Sequence, residues 1–206
     1  MTQTAPARGY HHGDLPNALK SAALEVIDEK GLGGFSLREV ARRAGVSHAA
    51  PAHHFGDTAG LLTVLAVDAL GHMRRVMAEA AEAETDPVER LAAVGRAYVR
   101  VSREHPGHCQ VVFRTDLVDT DDPALVAAGL ATFEVVRGVV ADLAAEMNPD
   151  LDIDTATRLC WSTMQGVVEI EQKMKLHAHH SGTGLSDTDD TISAFTRMLV
   201  EGLRAR

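Results

Sequence analysis

Histidine and cysteine side chains, which bind transition metals, stand close together at several points of this chain. The stretch HPGHC holds His105, His108 and Cys109, and the stretch HAHH holds His177, His179 and His180. A helix end followed by Pro-Gly could bring the first set together. For the second set, the dipole of the preceding helix favours basic groups at its C-terminus, which needs no metal. We expect no bound metal and keep metal binding at these two clusters as the alternative.

The other reactive side chains do not form a catalytic set. Adjacent helical residues point about 100° apart, so His53 and His54 cannot easily share one ion. Cys109 and Cys160 lie far apart without a C-x-x-C pair and are expected to be buried, reduced thiols. No nucleophile–base pair or phosphate-binding loop is recognisable. We therefore expect no enzyme and no cofactor.

The composition predicts an all-α protein. Hydrophobic residues make up 45% of the 206 residues, enough for a sizeable core, and only 4% are aromatic. Alanine, the best helix former, is frequent, whereas strand-like runs of Val, Ile and Tyr are missing. The N-terminus lacks the apolar core of a signal peptide, and no stretch reaches the roughly 18 apolar residues of a membrane span. We expect a cytoplasmic protein that does not contact a membrane.

Charge is distributed unevenly along the chain. The net charge is −9, which by itself disfavours nucleic acid. Residues 1–56, however, hold six Lys or Arg, five Asp or Glu and five His, whereas the remainder holds 14 Lys or Arg and 24 Asp or Glu. A nearly neutral, histidine-rich segment, 1–56, is therefore joined to an acidic segment, 57–206. We predict two domains with these boundaries.

Three helices are predicted in the first segment. The first precedes KGLGG, where Gly31 can take the left-handed conformation that ends a helix. Ser36 caps the second helix, with Glu39 at the spacing of a capping box. A turn at Gly45 follows, and Ser47 is expected to cap a short third helix.

The last two of these helices have the pattern of a helix-turn-helix. Ala41 is small where the helices cross, Gly45 supplies the positive φ of the turn, and Val46 fills the space between the helices. If Ser47 caps the third helix, the first residues of that helix point outward, where they can meet base edges in a DNA major groove. A helical hairpin without a DNA function is the alternative.

Six further helices are predicted in the second segment. Long helices run from Asp57 to about residue 84, from Pro87 to EHPGH, from DTDDP to Met147, from Thr155 to about residue 177, and from Asp187 to about residue 204, with a short helix at CQVVFR. The chain is therefore predicted to contain about nine helices.

Residues 8 to about 62 resemble the N-terminal domain of TetR-family transcriptional regulators. The resemblance rests on YHHGDLPNALKSAALEVIDEKGLGGFSLREVARRAGVSHAAPAHHFGD, which includes an Ala-Ala pair, SLREVARRAGVS and a terminal HF. It implies an all-helical homodimer whose larger C-terminal domain binds a small ligand and so changes the spacing of the two DNA-reading domains. RLCWSTMQGVVEIE is similar to a subgroup segment with Trp four residues before His-Gly; here Trp161 and Gly166 are kept, and Gln165 replaces the histidine.

On this resemblance, ten residues are expected to contact DNA: Arg8, Tyr10, Ser36, Arg38, Arg42, Arg43, Ser47, His48, Ala49 and His53. We expect His48 and Ala49 to face bases, and Arg38 and Ser47 to hold phosphates. Two positions depart from the family pattern, because Ala52 and Thr58 stand where members usually grip phosphates. DNA binding is therefore expected to be weakened.

A small-molecule pocket is expected among the middle helices, lined by Phe113, Leu117, Phe133, Val136, Trp161, Met164 and Gln165. Trp161 and Gln165 lie four residues apart on one helix face, and a ligand could satisfy their polar groups if they are buried. The last two helices are expected to pair with those of a second copy across a two-fold axis.

These features predict a ligand-responsive regulator, most simply a repressor, which binds a palindromic DNA operator as a homodimer and is released by a small molecule. The alternative is a dimeric small-molecule or metal sensor whose specific DNA binding is weak or lost. The missing phosphate donors at positions 52 and 58 motivate that alternative.

Overall fold

The structure, a computed structural model, describes residues 14–174 and 188–204, and within these ranges it consists of α-helices without β-strands. The helices are α1 Leu15–Lys30, α2 Leu37–Ala44, α3 Ala50–Phe55, α4 Thr58–Glu82, α5 Pro87–Glu104, α6 Pro106–Val112, α7 Pro123–Met147, α8 Ile153–Met174 and α9 Thr188–Arg204. A single 3-10 turn, Leu32–Gly34, connects α1 to α2. The predicted all-α architecture with about nine helices is confirmed.

The helix-turn-helix of α2 and α3 forms for local reasons that the sequence contains. The Ser36 hydroxyl oxygen accepts a hydrogen bond from the Glu39 amide at 3.3 Å and caps α2. Gly45 has a φ of 69° and ends α2 in the left-handed conformation, from which its amide bonds back to the last turn. Ala41 is fully buried where the two helices meet.

The start of α3 differs from the prediction, because Ser47 does not cap it. The helix begins at Ala50, and the carbonyl of Ser47 accepts the Ala50 amide at 3.0 Å in a preceding turn. Pro51 explains the shift. It occupies the first turn of α3, where a missing N–H removes no helical hydrogen bond, and its buried ring packs inward.

Helix α4 belongs to two hydrophobic clusters at once. Its first half supplies Leu61, Leu62, Leu65 and Ala66 to the head core, which joins them to buried residues of α1 and α2 and to Val111 of α6. Its second half supplies Met73 and Met77 to the body core, with Tyr98 of α5 and buried residues of α7, α8 and α9. We call α1–α3 the head and α5–α9 the body, and α4 connects them.

Glycine permits the close approach at the start of α4. Asp57 caps the helix by accepting the Gly60 amide at 2.9 Å. A Cβ atom at Gly60 would overlap the carbonyl oxygen of Phe55 at the end of α3. The end of α3, which is the predicted reading helix, therefore packs directly onto α4, without a side chain between them.

Helix α7 is the described helix that is long and apolar enough to cross a membrane by length and composition. Glu134 and Arg137 interrupt its apolar sequence, and the Arg137 guanidinium donates to Asp154 at 3.0 Å. The helix packs against α4, α5 and α8. Packing in the body explains its buried apolar residues, such as Val136 and Leu143, whereas Leu130 remains 62% exposed.

Candidate nucleic-acid interface and effector cavity

One surface of the head presents the predicted reading residues to solvent. With Ala41 and Pro51 buried, the opposite side of the turn and of α3 faces outward. The exposed residues of this reading surface are Ser47, His48, Ala49, Ala52, His53 and His54. Ser36, Arg38 and Arg42, on and before α2, are exposed as well. Arg8 and Tyr10 lie outside the described residues.

The three arginines of α2 differ in how strongly they are engaged inside the head. Arg42 donates two hydrogen bonds to Glu39, at 2.8 and 2.7 Å, although its side chain remains exposed. Arg43 is half-buried and binds Glu29 and Glu25 of α1. Arg38 is exposed and forms no ion pair with any residue that the structure describes. It is therefore the arginine of α2 best placed to bind a phosphate.

The carboxylates that hold these arginines stay ionised. Hydrogen bonds from Arg42 and Lys30 hold the pKa of Glu39 far below its ordinary range. A hydrogen bond from Arg43 lowers the pKa of Glu29 in the same way. The positive charges of Arg42 and Arg43 are therefore partly compensated within the head, whatever the pH near neutrality.

Three positions at this surface are exposed. Ala52 and Thr58, where the family pattern has phosphate donors, are both exposed. His54 is exposed as well, and its ring centroid lies 6.2 Å from that of Phe55. The surface therefore offers imidazoles and hydroxyls, with few fixed charges.

A cavity of about 290 Å³ lies between the head and the body. Two of the predicted pocket residues, Phe113 and Gln165, line it. The other lining residues are Leu32, Gly33, Cys109, Gln110, Arg114, Val168 and Glu169. The cavity thus has walls from the 3-10 turn of the head, from α6 with the residues after it, and from α8.

The structure places the other five predicted pocket residues elsewhere. Val136 and Met164 are buried in the body core, and Leu117 packs against the head core. Phe133 and Trp161 are half-buried, with ring centroids 6.3 Å apart. Their apolar helical spacing is that of core residues, which sequence periodicity alone does not distinguish from a pocket lining.

The amide of Gln165 already has partners within the protein. The hydroxyl of the fully buried Tyr98 donates to Gln165 Oε1, and Gln165 Nε2 donates to Glu169 Oε1 at 3.3 Å. The ring of Tyr98 also packs edge-on against Trp161, at a centroid distance of 5.5 Å. The partners that a ligand could have supplied to the Gln165 amide are therefore present within the protein, and Gln165 also lines the cavity. Its position on the cavity wall is fixed by Tyr98, a residue that sequence periodicity marked only as core.

Both cysteines are buried, free thiols, as expected. Cys109 Sγ donates to Ser102 Oγ at 3.6 Å, so it turns away from the neighbouring histidines. Burial raises the pKa of Cys109, and it raises that of Cys160 to about 11. Neither thiol is activated for reaction or metal binding.

His105 and His108 instead contact a third histidine, His72 of α4, which the sequence did not connect with them. The ring centroids of His72 and His105 are 5.1 Å apart, and those of His105 and His108 are 5.3 Å apart. The guanidinium of Arg75 lies 2.8 Å from His72 Nδ1, so this nitrogen accepts a hydrogen bond. Among the described residues no group of three His, Cys, Asp or Glu side chains has a metal-binding arrangement. His177, His179 and His180 lie outside the described residues.

Family comparisons agree with this geometry. Residues 19–65 match the family described as bacterial regulatory proteins, tetR family, and residues 91–199 match the tetracyclin repressor-like C-terminal domain. The chain belongs to the TetR family of transcriptional regulators. The resemblance noted in the helix-turn-helix sequence is thereby confirmed and extends to the body.

Individual relatives support the fold over most of the chain and the regulator class over a shorter part of it. A protein of unknown function from Rhodococcus sp. RHA1 is 28% identical, with a TM-score of 0.80 over 96% of this chain and 100% of that one. FadR from Bacillus subtilis, in complex with stearoyl-CoA, is 18% identical, with a TM-score of 0.67 over 92% and 95% of the two chains. The HTH-type transcriptional regulator BetI from Rhizobium meliloti is 37% identical over 89 residues, which are 43% of this chain and 44% of that relative.

We call His72, His105 and His108 the histidine cluster. Its environment leads us to predict that the protein loses stability in acid. Burial lowers the pKa of both His72 and His108 from the ordinary 6.5. The charges of Arg75 and His105 lower the pKa of His72 further, against Glu104 and Glu79. The charges of His105 and His72 lower the pKa of His108 further, against Asp28 and Asp68. Below pH 6.5 the unfolded chain then binds more protons than the folded one, so stability falls as the pH falls.

Thermal unfolding followed between about pH 7.5 and 5.5 measures this effect. The double variant His72→Gln/His108→Gln should show a smaller decrease in Tm across this interval than the natural sequence. His48→Gln/His53→Gln, on the exposed reading surface, is the matched control and should keep the full decrease. Equal pH dependence in all three proteins would contradict the assignment.

Proposed function

We propose that this protein is a homodimeric repressor that binds a palindromic DNA operator in the bacterial cytoplasm and is released from it by a small molecule. The observation that carries the proposal is the exposed reading surface of the head, 47–49 and 52–54, on a helix-turn-helix whose turn and cap are correctly formed. Membership of a family of transcriptional regulators supports it, as do the bacterial regulators that the head matches.

In this proposal the reading surface divides into base contacts and phosphate contacts. His48 and Ala49 precede α3 and face the bases, where imidazole can donate or accept and a methyl group can contact thymine. Arg38 and the Ser36 hydroxyl bind phosphates beside them. Arg43 is assigned mainly to holding α2 on α1, because Glu29 and Glu25 already bind it.

Salt should weaken this DNA complex only mildly, and its affinity should be modest. Ala52 cannot donate to a phosphate, and Thr58 offers a hydroxyl in place of an ammonium group. Few charged contacts remain to release counterions from DNA. A dimeric sensor with weak or lost specific DNA binding remains the second candidate function for this reason.

The dimer interface is proposed on the exposed apolar face of α8 and α9. Leu159 and Ile170 are 56% and 54% exposed and lie three turns apart on one face of α8, while Met198 of α9 is 70% exposed. Gly166 lies between the first two, with open space around it that lets a second helix come close. A two-fold pairing here would present two heads, which must be about 34–36 Å apart to read successive major grooves.

Release by a small molecule is proposed as a shift between two arrangements of the heads. A ligand that binds one arrangement more tightly than the other moves the population toward it, and no other property of the ligand is needed. The cavity between the head and α8 is the described site where occupancy would differ between such arrangements.

Removal of the free arginine tests the DNA-binding function. Arg38→Ala should weaken binding to a duplex of random sequence about tenfold at low salt and reduce the slope of log K against log salt by about one. Arg100→Ala, an exposed arginine of α5, removes the same charge from the body and is the matched control. Fluorescence anisotropy over a salt series gives both values. If the two variants behave alike, the head is not the DNA-binding surface.

Charge placed on the proposed interface tests the dimer. Ile170→Glu and Met198→Glu should each raise the dimer dissociation constant by about tenfold or more, since an unpaired carboxylate would be buried. Leu130→Glu, at an equally exposed apolar position of α7, should leave the dimer intact. Analytical ultracentrifugation over a concentration series distinguishes these outcomes. Monomer formation with Leu130→Glu alone would place the interface on α7.

A further inference from the structure

The cavity between head and body touches the connection between the first two helices of the head. Leu32 and Gly33 belong to the 3-10 turn that separates α1 from α2, and both line the cavity. Leu32 is also packed against the head core. A molecule in the cavity would therefore contact the DNA-reading unit itself, together with Gln165 and Val168 of α8.

The two charged side chains on the cavity walls, Arg114 and Glu169, are both held by neighbouring residues. Arg114 donates to both carboxylate oxygens of Asp116, at 2.8 and 2.7 Å. Glu169 accepts a hydrogen bond from Gln165. An anion would lose its hydration and meet the carboxylate of Glu169 and an arginine that Asp116 already holds, which disfavours it.

The remaining wall groups suit an uncharged, amphipathic molecule. Phe113, Leu32 and Val168 offer an apolar wall, and the phenyl ring of Phe113 is 38% exposed. The side-chain amides of Gln110 and Gln165 can donate to and accept from an amide, ketone or hydroxyl group. The two kinds of wall belong to the same cavity, so one small molecule can meet both.

Volume limits the size of the occupant. The cavity measures about 290 Å³. Because a water molecule in the liquid occupies about 30 Å³, the space corresponds to about ten non-hydrogen atoms.

We infer that this cavity is the effector site, and that it binds an uncharged amphipathic molecule of about ten non-hydrogen atoms that contacts the head directly through Leu32 and Gly33. The inference rests on the proposed function as a ligand-released regulator. It goes further in naming the site, the ligand chemistry and the contact with the turn 32–34.

A larger cavity elsewhere in the protein is less suited to a ligand. About 510 Å³ lies between the end of α3, the start of α4 and the loop before α7, and its walls include Asp57, Asp119 and Asp122. Asp57 caps α4, Asp122 caps α7, and Asp119 accepts the amide of Asp121. These carboxylates have structural roles, and they would repel an anion.

Contact with the turn gives the ligand a direct route to the reading helix. The turn is held by hydrogen bonds from Gly34 to Gly31 and from Phe35 to Leu32, at 3.2 and 3.3 Å, and Ser36 immediately after it caps α2. A ligand wedged between this turn and α8 would move α2 and α3 together relative to α8. The body core need not rearrange for the signal to pass.

Three probes of matched size test the ligand chemistry. Acetanilide is uncharged, phenylacetate is an anion, and 3-phenylpropylammonium is a cation. In ¹H–¹⁵N spectra of the full-length protein, acetanilide should shift the Gly33 backbone amide and the Gln165 side-chain amide. Its dissociation constant should be at least about tenfold lower than those of the two ions. Absence of these shifts, or tighter binding of an ion, would overturn the inference.

Two substitutions test the location of the site. Gly33→Leu and Gln110→Trp each place a larger side chain at the cavity wall, and position 33 has open space for it at an ordinary φ. Each should abolish the acetanilide shifts. Gly71→Leu, at an open position of α4 away from the cavity, is the control and should keep them. Shifts that persist in both filled variants would locate the probe elsewhere.

The consequence for DNA is measured separately. Gly33→Leu should lower DNA affinity without any ligand by about tenfold relative to Gly71→Leu, because it occupies the site permanently. If the natural protein fails to bind DNA while acetanilide binds as described, the proposed function fails and the ligand site stands. If DNA binding is normal and Gly33→Leu does not change it, direct contact with the head is not the route of release.

Discussion

The contact between α3 and α4 at Gly60 is the constraint on which the rest of the structure depends. A side chain at this position would overlap the Phe55 carbonyl oxygen, so the end of the reading helix and the start of α4 form one rigid corner. The same α4 contributes buried leucines to the head core and buried methionines to the body core. A change in the direction of α4 must therefore move the reading helix with it.

Helix α6 forms a second connection between the head and the body, in addition to α4. Val111 of α6 is buried in the head core, and Gly107 at its start lies so close to Asp28 of α1 that a Cβ atom would meet the carboxylate. The histidine cluster and the cavity both lie along this connection, the first at the start of α6 and the second at its end. In our proposal, protonation and ligand binding act on this same connection by different physical means, one through repulsion between imidazolium groups and the other through steric contact.

The head could be predicted from the sequence because its signals are local. Gly45, Ser36 and the small Ala41 each determine the conformation of their immediate neighbours, and the structure confirms all three. Ser47 was the exception, because a capping residue and a nearby proline gave conflicting starting points for α3. The helix starts where Pro51 requires, because a proline can be accommodated without losing a helical hydrogen bond only in the first turn.

The body's site could be predicted only in part. Phe113 and Gln165 were recognised as pocket residues, but helical periodicity cannot say which of several apolar residues faces a cavity and which faces the core. Leu32 and Gly33 were missed because they lie more than 70 residues before Phe113 in the chain and meet it only through packing. His72 was missed for the same reason, although His105 and His108 had been considered, together with Cys109, as a possible metal site.

Selection of bound fragments from a random pool of duplex DNA at low salt, with the full chain, tests the central claim most directly. The account predicts enrichment of one palindrome whose half-sites are about 10 base pairs apart, one turn of the double helix. Such a spacing would follow from a two-fold dimer that presents two reading surfaces to one face of DNA. Binding without any enriched sequence, or no binding at all, would contradict it and favour a sensor that does not read DNA.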